Sequence, residues 1–186
     1  MLKIISGQFR GRKLFTPKDS QTRPTQGSVR ERLFNILQLD VPGSNFLDLF
    51  AGCGAVALEA ISRGAQRAVL VESDRYALLS IRKNIELLGV ESQTQVIGVD
   101  LYKALQTLPK GEFDLIFADP PYNLGHGKKV IQLIAEKGIL KPGGKLFVEE
   151  GSEIEGEFEG MELVRIKKSG GTYLHEYRRN SETAAI

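Results

Sequence analysis

Apolar positions change their spacing along this chain, and the changes separate strands from helices. Short, nearly continuous apolar runs predict strands over residues 45–49, 67–71, 94–99 and 113–118. Apolar residues recurring at helical spacing predict helices over 28–39, 56–63, 75–88, 101–108 and 128–137. A run such as Ala68-Val69-Leu70-Val71 has no polar face, so it implies burial on both sides and parallel pairing. Strands alternating with helices in this way give a doubly wound α/β fold. After a turn at Lys141-Pro142-Gly143-Gly144 come strands at 145–149, 161–167 and 172–177, whose helix-free connections predict an antiparallel end to the sheet. Ahead of this series, residues 2–6 and 13–15 flank a glycine-containing turn as a hairpin. Ser28 and Glu31 then have the spacing of a capping box for the first helix, which should stop before Pro42.

Composition adds limits. A chain of 186 residues, 41% of them apolar, can bury roughly 70% of its unfolded surface in one core. No apolar run approaches the roughly 18 residues of a membrane span, and the N-terminus lacks the long apolar stretch of a signal peptide, so the chain reads as cytoplasmic. The single cysteine, Cys53, has no partner for a disulfide or a metal cluster, and no metal is expected. Net charge is only +2, but it is unevenly spread. Residues 1–32 carry Lys3, Arg10, Arg12, Lys13, Lys18, Arg23, Arg30 and Arg32 against Asp19 and Glu31. A basic N-terminal segment with Phe9 and Phe15 among its charges suits contact with a polyanion, although a solvated basic face has the same composition. Three regions result: a basic extension over 1–42 packed on the core, the core over 43–179, and a polar tail over 180–186 that reads as disordered.

In open α/β sheets ligands bind beyond the carboxyl ends of the strands. The first such stretch, Asp48-Leu49-Phe50-Ala51-Gly52-Cys53-Gly54, combines an acid with glycines that let backbone approach a ligand closely. Its Gly52-x-Gly54-x-x-Ala57 spacing also fits the relaxed dinucleotide fingerprint, so alone it does not separate NAD from another adenosine cofactor. Glu72, followed by Ser73, ends the second strand about 20 residues beyond the glycine loop, where a carboxylate can accept from ribose hydroxyls. Asp74 reads as the cap of the next helix. Asp100 could receive an adenine amino group with Leu101 against the ring, or cap the helix beginning at Leu101; the two roles are compatible. Three acids at one rim disfavour a pyrophosphate and suit S-adenosylmethionine, whose sulfonium is cationic. Cys53 has no histidine near it in sequence and sits where small size suffices, so it reads as structural.

The fourth strand ends in Phe117-Ala118-Asp119-Pro120-Pro121-Tyr122-Asn123. An exocyclic amine on a nucleobase is a poor nucleophile because its lone pair is delocalised into the ring. Two acceptors can hold its hydrogens and turn that lone pair toward an electrophile. Asp119 can supply one and the Pro120 carbonyl the other, since Pro121 carries no N–H and both prolines favour extended backbone. Tyr122 offers a ring on which a base can stack, worth about 1–3 kcal/mol.

The "DPPY" at 119–122 after a strand, with "DLFAGCGA" at 48–55, resembles the methyltransferases of nucleobase amines. Together with "IISGQFRGRKL", "RPTQGSVRERLFNIL" and "VESD", these stretches are similar to the bacterial small-subunit ribosomal RNA methyltransferase D family over most of residues 2–179. The resemblance implies a Rossmann-like class I methyltransferase with a mostly parallel seven-stranded sheet. It also implies methyl transfer from S-adenosylmethionine to the N2 amine of a guanine in 16S ribosomal RNA, as naked RNA or as a small-subunit particle. It makes Asp48, Phe50, Ala51, Gly52, Gly54, Glu72, Ser73, Asp100, Leu101 and Asp119 the donor site. Asp119, Pro120 and Tyr122 become the amine clamp, and Arg10, Arg12, Lys13 and Arg23 become RNA contacts. Cys53 stands where that family often has serine, and Val56-Ala57 where it often has leucine-glycine. Competing readings are an adenine-N6 DNA methyltransferase, which shares the clamp, a non-catalytic RNA-binding module, and a small NAD-binding protein. His175, near Lys167, Lys168, Arg178 and Arg179, is a candidate for a second basic patch.

Overall fold

The computed structural model describes residues 2–17, 27–121 and 126–181. Its elements are α1 (Gly27–Leu37), β1 (Asn45–Asp48), α2 (Ala55–Ser62), β2 (Arg67–Val71) and α3 (Arg75–Leu88). A 3-10 turn (Glu91–Gln93) leads to β3 (Thr94–Ile97) and α4 (Leu101–Thr107). Then follow β4 (Phe113–Ala118), α5 (His126–Lys137), β5 (Leu140–Glu150), β6 (Met161–Ser169) and β7 (Thr172–Arg179). The strands form one seven-stranded sheet in the order β3-β2-β1-β4-β5-β7-β6. β2 lies parallel to both β1 and β3, and β4 parallel to β5, whereas β7 runs antiparallel to β5 and β6. The expected doubly wound, mostly parallel sheet with an antiparallel C-terminal strand is therefore present. The chain divides into two compact units, Met1–Thr107 and Leu108–Ile186.

In the first unit, the apolar runs that predicted parallel strands are buried as that pattern requires. Ala68, Val69, Leu70 and Val71 of β2 are all buried, as are Phe46 and Leu47 of β1. Asp74 caps α3, its Oδ1 accepting the Ala77 N–H at 2.7 Å. Three local expectations change. α1 begins at Gly27, which places Ser28 inside the helix rather than at its N-cap. The N-terminal hairpin is present but short: around the antiparallel bridge of Lys3 and Lys13, the N–H groups of Ile4, Gly11 and Leu14 donate to the carbonyls of Arg12, Ile4 and Leu2 at 2.9–3.0 Å, whereas the N–H groups of Ile5, Ser6, Gln8 and Phe9 bond to α2. Finally, β3 stops at Ile97, short of the expected end at 99.

In the second unit, the Lys141–Gly144 turn proves to be an excursion within β5. β5 pairs with β4 through Leu140 opposite Phe113 and then Lys145 opposite Leu115, so four residues of β5 bulge past Asp114. Lys141 secures the bulge, its ammonium donating to both Asp114 oxygens at 2.8 Å. His175 does not join a surface patch. It is fully buried between the rings of Tyr173 and Tyr177, with centroids 6.4 and 6.5 Å away. The Ile154 N–H donates to its Nε2 at 3.0 Å, which fixes the proton on Nδ1, 3.4 Å from the Val148 carbonyl.

Among the described residues no helix is long and apolar enough to cross a membrane. Burial pushes the His175 pKa below its ordinary value, against smaller opposing effects of the Val148 carbonyl, Glu153 and Glu150. The unfolded chain then binds this proton more readily than the folded one, so stability rises with pH up to about 6.5 and falls on acidification below it. Urea midpoints at pH 5.5 and 7.5 should differ for the native chain. His175→Gln, which cannot titrate but still offers an acceptor to Ile154, should narrow that difference.

Candidate active site

The glycine turn after β1 is dictated by backbone geometry. Gly54 has φ 84°, a left-handed conformation, and a Cβ there would lie 3.0 Å from Leu70 Cδ2. Its N–H closes the turn on the Ala51 carbonyl at 2.7 Å, and α2 starts at the next residue. Gly52 has φ 55°, and a Cβ added to it would meet nothing within 4 Å. One glycine is thus required by the core and the other faces open space.

Glu72 follows the end of β2 and is buried. Its Oε2 accepts the Gly52 N–H at 2.7 Å, and its Oε1 accepts the N–H groups of Ser73 and Asp74, both at 2.8 Å. Glu72 and Gly52, named separately from the sequence, are therefore in direct contact, with Ser73 joined to them. A carboxylate oxygen has two lone pairs, so Oε1 is filled while Oε2 retains one. Asp48 closes β1 and is buried, Ala51 is buried and Phe50 half-buried. Burial also pushes the Cys53 thiol up to about 11, which suits a structural rather than a nucleophilic residue.

Asp100 caps α4, its Oδ1 accepting the Lys103 N–H at 3.1 Å. That bond, with the Lys103 ammonium 3.4 Å from Oδ2, lowers the carboxyl pKa from its ordinary value. Leu101 is the first residue of α4 and half-buried. In the second unit, Asp119 and Pro120 directly follow β4, Asp119 half-buried and Pro120 buried. Tyr122 and Arg23 lie outside the described residues, as do 182–186 of the tail. Among the described residues no group of three or more His, Cys, Asp or Glu side chains could hold a metal ion.

Arg10, Arg12 and Lys13 are exposed on the N-terminal arm. The arm is held by the end of α2. Glu59, fully buried, accepts the N–H groups of Ile5 and Ser6 at 2.7 and 2.9 Å and pairs with Arg63 at 2.8 Å. Ser62 adds its carbonyl to the Gln8 N–H and its Oγ to the Phe9 N–H. At Gly7, φ 82°, a Cβ would sit 1.8 Å from the Ser62 carbonyl oxygen, so only glycine allows this approach. Arg30, counted from the sequence with the basic surface, is instead only 3% exposed. Its Nη1 donates to the Lys3 carbonyl at 3.1 Å and lies 3.9 Å from Glu59. Burial lowers its pKa, opposed chiefly by Glu59.

Sequence reasoning passed over Glu59 and Asn84. The signal for Glu59 is one acid inside the helix Ala55–Ser62, whose other residues before Ser62 are all apolar. Asn84 is fully buried on α3, its Oδ1 accepting the Phe15 N–H at 2.7 Å and its Nδ2 donating to the carbonyls of Phe15 and Cys53 at 2.9 and 3.0 Å.

A glycine turn after β1, a carboxylate clasping it from β2, and this strand order define a class I methyltransferase fold. A family model described as Conserved hypothetical protein 95 matches residues 2–178. The chain is 35% identical over 186 residues to the Ribosomal RNA small subunit methyltransferase D of Escherichia coli strain K12, covering 97% of this chain and 91% of that one. It is 37% identical over 152 residues to the protein of that name from Haemophilus influenzae, covering 80% and 78%. The solved structure of the Escherichia coli protein yhhF matches with a TM-score of 0.86 at 34% identity, over 97% of this chain and 99% of its own. The chain belongs to the ribosomal RNA small subunit methyltransferase D family.

Glu59→Gln tests the arm's attachment, because an amide cannot balance Arg30 and Arg63 and presents its own N–H groups to those of the arm. Breaking a buried ion pair costs about 3–5 kcal/mol; with Arg63 partly solvated, a loss near 3 kcal/mol is expected in chemical denaturation. Amides of residues 5–9 should lose hydrogen-exchange protection in the variant.

Proposed function

We propose that the chain is a ribosomal RNA methyltransferase that moves a methyl group from S-adenosylmethionine to the N2 amine of a guanine in 16S ribosomal RNA. The observation that carries this reading is the match along 97% of the chain to a relative named for methylation of small-subunit ribosomal RNA. The site supports the donor. Open space beside the Gly52 backbone leaves room for a ligand, and the remaining lone pair of Glu72 Oε2 suits a ribose hydroxyl. Asp48, Phe50, Ala51, Gly54, Ser73, Asp100 and Leu101 complete the proposed donor set. The acids favour a cationic donor over a pyrophosphate, which argues against NAD.

S-adenosylmethionine supplies an already activated methyl group. The chain's own work is to bind, aim and stabilise. Asp119 and the Pro120 carbonyl accept the amine's hydrogens, directing its lone pair, and Asp119 stabilises the positive charge that builds on nitrogen as the bond forms. No strong base is needed before attack, because the nitrogen becomes acidic only during it. Tyr122 stacks on the base, and Arg10, Arg12, Lys13 and Arg23 meet phosphates of the folded RNA or small-subunit particle.

Labelled methyl transfer to small ribosomal subunits lacking the modification, followed by mapping of the base, tests the reading. A labelled guanine N2 is expected; label on an adenine N6, or binding of NAD without S-adenosylmethionine, would overturn it. Asp119→Ala should lower turnover by about 100-fold or more with donor affinity by calorimetry nearly unchanged. Glu72→Gln should do the reverse, weakening donor binding about tenfold. Equal loss of donor binding in both would sink the assignment of Asp119.

A further inference from the structure

Phe15 keeps 51% of its surface exposed. A single exposed aromatic is ordinary in a folded protein. What sets this one apart is how it is held. Both backbone polar groups of Phe15 bond to the carboxamide of Asn84, a polar side chain with no exposed surface. The third Asn84 bond, to the Cys53 carbonyl, fixes that carboxamide in turn. Such an arrangement presents the ring at a set place and removes most of the ordering entropy that a flexible arm would lose on binding.

The neighbouring residue on α3, Lys83, points outward and places its ammonium 5.8 Å from the centre of the Phe15 ring. Leu79 and Tyr76 lie on the same helical face, 52% and 45% exposed, at spacings of four and seven residues from Lys83. Arg75 sits 5.6 Å from the Tyr76 ring centre. From Tyr76 to Lys83 the helix rises about 10 Å. Two cations, Arg75 and Lys83, thus flank Tyr76 and Leu79 along α3, with Phe15 against Lys83 and one acid, Glu86, in the following turn; Lys13, two residues before Phe15, is exposed as well. A protein partner's apolar surface would not call for this density of positive charge. A single nucleic-acid strand, with bases to stack and phosphates to pair, matches both.

We propose that Phe15, Lys83 and Tyr76 form a binding stripe for an unpaired stretch of RNA, with a base stacked on Phe15 and a phosphate beside Lys83. The proposal rests on the RNA-modifying reading above and adds to it a strand-selective contact. Stacking is insensitive to salt and phosphate pairing is not, so the two contributions separate experimentally.

The test uses the full chain and a fluorescein-labelled single-stranded RNA 12-mer of mixed sequence, with the same RNA annealed to its complement for comparison. Phe15→Ala should weaken single-strand binding about tenfold at unchanged salt slope, while Phe15→Trp retains it. Lys83→Ala should flatten the slope of log affinity against log salt by about 0.7. S-adenosylmethionine affinity, measured by calorimetry in Phe15→Ala, should match the native chain and show that its core is intact. Single-strand binding within twofold of native for both alanine variants would overturn the stripe. So would full retention by Phe15→Leu, or an equal loss on duplex. A native chain that neither binds nor methylates RNA would instead overturn the functional reading itself, and the stripe with it.

Discussion

The buried carboxylate of Glu59 is the constraint on which the first unit depends. It lies in the last turn of a short apolar helix, where backbone carbonyls lack intrahelical donors. An acid buried there without partners would be untenable. The N–H groups of Arg63, Gly64 and Ala65 close on the carbonyls of Glu59, Ile61 and Ala60, and the arm folds over what remains, Ile5 and Ser6 donating to the Glu59 carboxylate, Gln8 to the Ser62 carbonyl and Phe9 to its Oγ. Arg30 and Arg63 balance the charge. The basic arm is consequently part of the fold, and its exposed cations are carried on anchored backbone.

The glycine turn has the same economy. Glu72 holds Gly52 from one side, and Asn84 holds the Cys53 carbonyl from another, so consecutive residues of the turn are fixed by side chains from β2's end and from α3. A loop of small residues, flexible by composition, becomes a defined surface because neighbouring elements claim its polar groups.

Much of this was legible in the sequence. Apolar periodicity placed the helices and the first four strands within a residue or two, since burial on one face or two leaves distinct patterns. The position of Glu72 after β2 was readable from spacing alone. Local rules failed where tertiary contacts outbid them. Ser28 fits a capping box yet sits inside α1, and the Lys141-Pro142-Gly143-Gly144 turn is absorbed into β5 because Lys141 finds Asp114. Arg30 counted as surface charge from composition, although a buried acid claims it. Asn84 was invisible because its importance lies in three partners distant in sequence, which no periodicity records.

That carboxamide has a thermodynamic consequence. Asn84 uses both of its N–H donors at once, one on the arm and one on the glycine turn. Any event that pulls Phe15 away perturbs the donor that satisfies the Cys53 carbonyl, and any event that reshapes the turn is felt at Phe15. Two loops that share a rigid amide cannot relax independently, so ordering one lowers the entropy left for the other to lose. By linkage, ligands that order the two places would favour each other's binding by equal factors.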